Sequence, residues 1–164
     1  MAANRHDRPA RVGRAIVAGL AASAAYLAMM ALDMRLLRYP QNDLVLQGRL
    51  APVPRRFWLP AGLVMHSGFG VTLALIYALV VHERLPGPAW CRGILLANLE
   101  NALLWPLTLL IDRYHPAVRD GQMPPMNTPR CFLQAVLRHT AFGAVLGVVY
   151  AHAPERPVWF RHRP

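Results

Sequence analysis

Four apolar windows, about Arg14–Leu36, Pro60–His82, Ala89–Asp112 and Cys131–His152, take up most of this 164-residue chain. Each is long enough to cross the roughly 30 Å hydrocarbon layer of a bilayer as a helix. The pattern predicts an all-α membrane protein in which four transmembrane helices form a bundle. A hydrophobic content of 55% and a positive mean hydropathy agree, being too apolar for a domain that presents a polar surface to water. The only connections of any size, Arg35–Leu59 and Arg113–Arg130, are rich in Pro and Arg and leave no room for a separate soluble catalytic domain. The transmembrane domain is read as residues 14–152, between a basic N-terminal segment 1–13, expected to be disordered, and a basic tail 153–164.

The fourth window echoes the second. His66-Ser67-Gly68-Phe69-Gly70 running to Tyr77-Ala78 aligns without gaps on His139-Thr140-Ala141-Phe142-Gly143 running to Tyr150-Ala151, at a constant offset of 73. This implies a duplicated two-helix hairpin and a pseudo-symmetric bundle. At 100° per residue, His66, Phe69, Gly70, Leu73 and Tyr77 share one face, as do His139, Phe142, Gly143, Leu146 and Tyr150. Gly70/Ala74 and Gly143/Gly147 are small-xxx-small steps that permit close helix crossings, so the two repeated faces are expected to meet each other or a shared central feature. The first window, studded with Ala18, Gly19, Ala21, Ala22 and Ser23, reads as a packing helix. Gln41-Asn42-Asp43 reads as a turn, and the segment from Asp43 to Leu50 as a short interfacial turn of helix.

The formal charge of +10 comes from eighteen arginines and no lysine. Nearly all of them flank the windows, where they meet headgroups, so the expected partner is the lipid bilayer and not a nucleic acid. Nine arginines fall on the side of the termini and nine on the other, and only the dominance of the first helix points to cytoplasmic termini. The apolar run Ala15–Leu32 exceeds a signal-peptide core, so the first window is expected to be retained. Cys91 and Cys131 open the third and fourth windows on opposite membrane faces, which excludes a disulfide between them.

The candidate site is a buried polar centre of His66, His139, Glu100, Asn101 and Asn98. Glu100 is the most expensive residue of the chain: a mid-membrane carboxylate costs on the order of 2.5–3.5 kcal/mol, so it is expected to be protonated, paired or facing a polar interior. It reads either as a proton-relay or substrate-contact residue or as one end of a structural hydrogen bond to a facing His. His66 and His139 could bind a b-type haem from two sides, or each could hydrogen-bond across the bundle. His82 and His152 lie about 160° and 140° around their helices from His66 and His139, so they form no second ligand pair. The His115–Met126 loop matches no metal pattern and reads as a Pro-stiffened solvated loop; no metal is expected. No phosphate loop, nucleophile–base set or Cys-x-x-Cys motif occurs, so an enzyme is not expected.

The patterns His66-x-x-Phe69-Gly70, Gly93-Ile94-Leu95-Leu96-Ala97 leading to Trp105-Pro106, and His139-x-x-Phe142-Gly143-x-x-x-Gly147 resemble small bacterial inner-membrane proteins of the YagU-like and related uncharacterised groups. That resemblance covers the three later windows and implies a four-helix topology in a bacterial cytoplasmic membrane. The leading functional expectation is a non-enzymatic scaffold or accessory subunit, or a small proton-linked permeation unit that forms a homo-oligomer or joins a larger membrane complex. The alternative is a haem-binding electron carrier using His66 and His139.

Overall fold

The computed structural model describes residues 8–152. Helix α1 runs over Arg8–Leu36, α2 over Asp43–Gly48, α3 over Trp58–Ile76, α4 over Ala89–Leu104, α5 over Thr108–Tyr114, α6 over Pro116–Arg119 and α7 over Pro129–His152. There is no strand among the described residues. Four stretches are long and apolar enough to cross a membrane: Arg8–Leu36, Arg55–Val81, Ala89–Tyr114 and Pro129–His152. Large apolar side chains such as Leu63, Val64, Leu95, Leu99 and Leu103 face outward, where hydrocarbon and not water would cover them.

The first helix starts earlier than the sequence pattern predicts. Residues 8–13, read as disordered, are helical; the remaining residues of that segment and the tail 153–164 lie outside the described residues. Pro9 stands in the first turn, where its missing N–H costs nothing. Arg11 ties this turn down by donating to the Ala78 carbonyl and pairing with Glu83 at 3.2 Å. That carbonyl lies in a π-helical turn, Tyr77–Val81, which ends the second span. The third span bends where Pro106 lacks an N–H: Trp105–Leu107 forms a 3-10 turn between α4 and α5.

Around the bundle the order is α3, α1, α7, α4. Helix α1 packs along both α3 and α7, and α4 packs along α7, whereas α3 and α4 part company beyond their connecting turn. The small-xxx-small steps explain this order. A Cβ on Gly143 would strike the Gly93 carbonyl and one on Gly147 the Ala89 carbonyl, so α7 meets α4 backbone to backbone. A Cβ on Gly70 would strike the Ser23 hydroxyl, and Ala74 sits against Gly19, so α3 meets α1. Each step thus seats one helix on the helix before it: α3 on α1 and α7 on α4. Between α3 and α7 long side chains make the contact: Tyr77 and Tyr150 pack edge to face at 5.5 Å, and the Phe142 ring reaches Gly70.

Candidate functional site

The connections on the side opposite the termini build a polar floor. Asn42 caps α2, its Oδ1 accepting from the N–H groups of Leu44 at 2.9 Å and Val45 at 3.3 Å, which sets Asp43 at the first helical position pointing into the bundle. Asp33 closes in from the last turns of α1 and Arg138 from the middle of α7. Arg138 is 1% exposed. Its Nε and one terminal nitrogen grip Asp33 in a fork, both at 2.6 Å; the other terminal nitrogen donates to Asp43 at 3.0 Å and to the Gln41 side chain, and the Gln41 carbonyl accepts at 3.0 Å. All five guanidinium N–H groups therefore have acceptors within the protein. Gln134 adds a bond to Asp33 at 2.7 Å, and the Tyr26 hydroxyl donates to Asp43 at 2.7 Å. Burial alone would raise the Asp43 carboxyl, but Arg138 and the bonds from Gln41 and Tyr26 hold it below the ordinary Asp range.

Tyr26 links this floor to the histidines. Its ring packs against His66 at 4.8 Å and His139 at 5.3 Å between centroids. His139 has both ring nitrogens engaged: Nδ1 lies 2.7 Å from the Ala135 carbonyl and Nε2 lies 3.2 Å from the Glu100 carboxylate. His66 is 7% exposed and its Nε2 has no partner among the described residues. Asn101 on the third span is buried and lines the same cavity as His66, whereas Asn98 is turned away, donating to the Ile94 carbonyl and to Thr140 on α7, both at 3.1 Å. Of the five polar residues singled out in the sequence, the structure brings four, His66, His139, Glu100 and Asn101, to one cavity; Asn98 joins helices α4 and α7 outside it.

The cavity holds about 500 Å³ and occupies the space where α3 and α4 diverge. Its floor is Asp43, Gln41 and Arg138, one wall carries the Glu100–His139 pair, and its rim is apolar. Here the two matching sequence segments differ. Phe142 is buried in the core, but its sequence counterpart Phe69 is 59% exposed at the cavity mouth. The loop after α5 closes over the same end, with Asp112 accepting from the N–H groups of Met126 at 2.6 Å and Asn127 at 2.8 Å. Met126 lines the cavity and Met123 is buried, so this loop is a folded cap instead of a solvated strap.

Sequence reasoning missed the largest fully buried side chain among the described residues. Arg138 reads as one of the headgroup arginines, yet it lies eight residues into the fourth window and pairs with Asp33, itself inside the first. The signal was present: two opposite charges inside apolar windows, each too costly to leave unpaired. A haem held by His66 and His139 does not fit the residues as they stand. Both imidazoles pack on Tyr26, and iron ligation by His139 would break its contact with Glu100 or with Ala135.

No curated protein and no solved structure matches the chain. A family model described as a family of unknown function (DUF6789) matches residues 9–159, which span all four helices and every residue of the cavity. The chain belongs to that family.

Proposed function

We propose that this is a non-enzymatic, multi-pass protein of a bacterial cytoplasmic membrane, related to the YagU-like groups and built from a duplicated hairpin. It holds a small molecule between its second and third spans and couples occupancy to a proton shared by Glu100 and His139. It acts as a small permeation unit, or as the binding subunit of a homo-oligomer or larger membrane complex. The observation that carries this reading is the cavity itself: about 500 Å³ within a membrane bundle, with the Glu100–His139 pair at 3.2 Å on its wall and the unpartnered His66 Nε2 beside it. A bundle that needed these groups only as structural glue would be expected to close around them, since unfilled space and unpaired buried polar atoms both cost stability. Cytoplasmic termini agree with the arginine count once Arg138 is removed from it, nine on the terminal side against eight.

The test uses Trp105, which lines the cavity. The part of the protein fluorescence that a Trp105→Phe variant lacks should change in a single-proton transition between pH 9 and pH 4. Other titratable or charged groups around the pair are His66 on α3, Tyr26 on α1, Asp43 on α2 and Arg138 on α7, so the transition must disappear or move in Glu100→Gln. A Trp105 signal that ignores pH, or one that Glu100→Gln leaves in place, overturns the proposal.

A further inference from the structure

We propose that the cavity takes a lipophilic organic cation, entering from the bilayer between the second and third spans. The inference rests on the binding reading above and adds the chemical class of the ligand.

Charge decides the sign of that ligand. The cavity and its immediate backing hold three carboxylates, Asp33, Asp43 and Glu100, against one guanidinium. Arg138 has no N–H left for an anionic headgroup, because all five are engaged by Asp33, Asp43 and Gln41. The remaining bases are His66 and His139, and His139 already faces Glu100. An anion placed here meets excess negative charge and no free donor fork; a cation meets an acceptor surface. Independently of the acidic groups, His66 is 7% exposed, lines the cavity and has an Nε2 atom with no partner among the described residues. Buried polar atoms are nearly always partnered, and one left over on a cavity wall points to a bound molecule.

Shape and lining decide that the cation is organic. Aromatic rings line the cavity from four separate places: Tyr26 on the first span, Phe69 on the second, Trp105 at the break of the third and Phe142 on the fourth. Aromatic faces attract cations whose charge is spread or weakly hydrated. A volume of about 500 Å³ suits a small organic molecule and exceeds what a bare metal ion needs. The mouth is rimmed by exposed Phe69, Ile76, Leu104 and Leu107, so access is from hydrocarbon. On binding, the cation takes the place of the proton held between Glu100 and His139, and that proton leaves to water; the net charge of the site is unchanged.

Tetraphenylphosphonium is a suitable probe. Titrated into the detergent-purified protein, it should change the Trp105 fluorescence saturably at pH 8, bind at least tenfold more weakly at pH 5.5, and at that lower pH release protons to an indicator dye as it binds. Glu100→Gln should weaken binding tenfold or more and abolish proton release. Phe69→Ala, altered only at the exposed rim, should keep the wild-type melting temperature and bind several-fold more weakly. Absence of saturable binding at pH 8, undiminished binding by both variants, or stronger saturation by dodecyl phosphate than by the cation overturns the proposal. If the ligand-free Trp105 titration still follows Glu100 in that event, the proton-handling reading stands and the cation assignment alone falls.

Discussion

Arg138→Met keeps an apolar stem of similar length and deletes the guanidinium. The wild-type side chain is 1% exposed and grips Asp33 at 2.6 Å and Asp43 at 3.0 Å. Without it two carboxyl groups stay sealed in the bundle with only Gln41, Gln134 and Tyr26 as donors. Neutralising one of them at pH 7, about three pH units above the ordinary Asp value, costs about 4 kcal/mol. Leaving it charged costs a similar amount, since breaking a buried pair typically loses about 3–5 kcal/mol. The expected destabilisation is therefore about 3–5 kcal/mol at pH 7.5. Its pH dependence has a definite sign. In the wild type, burial raises the Asp43 carboxyl but Arg138 and the hydrogen bonds outweigh it, so its stabilising contribution is complete above the ordinary Asp range. In the variant burial acts without the counter-charge, the carboxyl climbs above its unfolded value, and the folded state binds more protons than the unfolded one. The variant then gains stability as pH falls. SDS-titrated unfolding in mixed micelles, followed by circular dichroism at pH 7.5 and pH 5, measures the gap to wild type; it should narrow at pH 5. A loss below about 1 kcal/mol at pH 7.5, or a gap that does not narrow, refutes the reasoning.

Other perturbations probe the packing and the cap. Gly143→Leu drives a side chain into the Gly93 backbone and should cost about 1–3 kcal/mol or more in the same unfolding assay. Gly68→Ala meets nothing within 4 Å and should be neutral or stabilising by up to about 1 kcal/mol, as Ala replaces Gly within a helix. His115 sits in the cap, its Nδ1 accepting from the Ala117 N–H at 3.1 Å, and burial holds its imidazole below the ordinary His value. The unfolded chain then takes up a proton that the folded one resists, so stability should fall as pH drops below about 6.5, and His115→Asn should flatten that fall in melting curves between pH 7.5 and pH 5.5. Cys91 is exposed and Cys131 buried, so maleimide should label the first in the folded protein and the second only after denaturation, as read by peptide mass.

Much of the architecture was legible in the order of residues. Four runs of apolar side chains can satisfy their backbones in hydrocarbon only as helices, so class and span number follow from composition along the chain. Pro106 marks the break in the third span, and Asn42 the start of α2, for the same local reasons. His66, Glu100, Asn101 and His139 could be named as a polar group because polar atoms in an apolar run are costly wherever the run ends up. Tertiary structure decided which of them meet. Asn98 and Asn101 are three residues apart on one helix, yet one bridges to Thr140 and the other faces the cavity. Whether Arg138 is a headgroup anchor or a buried clasp depends on Asp33 and Asp43, 105 and 95 residues away in sequence. That distinction rests on how α1, α2 and α7 converge, and no local pattern records it. The cavity is likewise a property of order around the bundle: helix contacts at Gly70 and Gly143 seat α3 on α1 and α7 on α4, and the unfilled seam falls between α3 and α4. Local rules depend on near neighbours and survive any arrangement of the helices, whereas a site made from four spans exists only once they are packed.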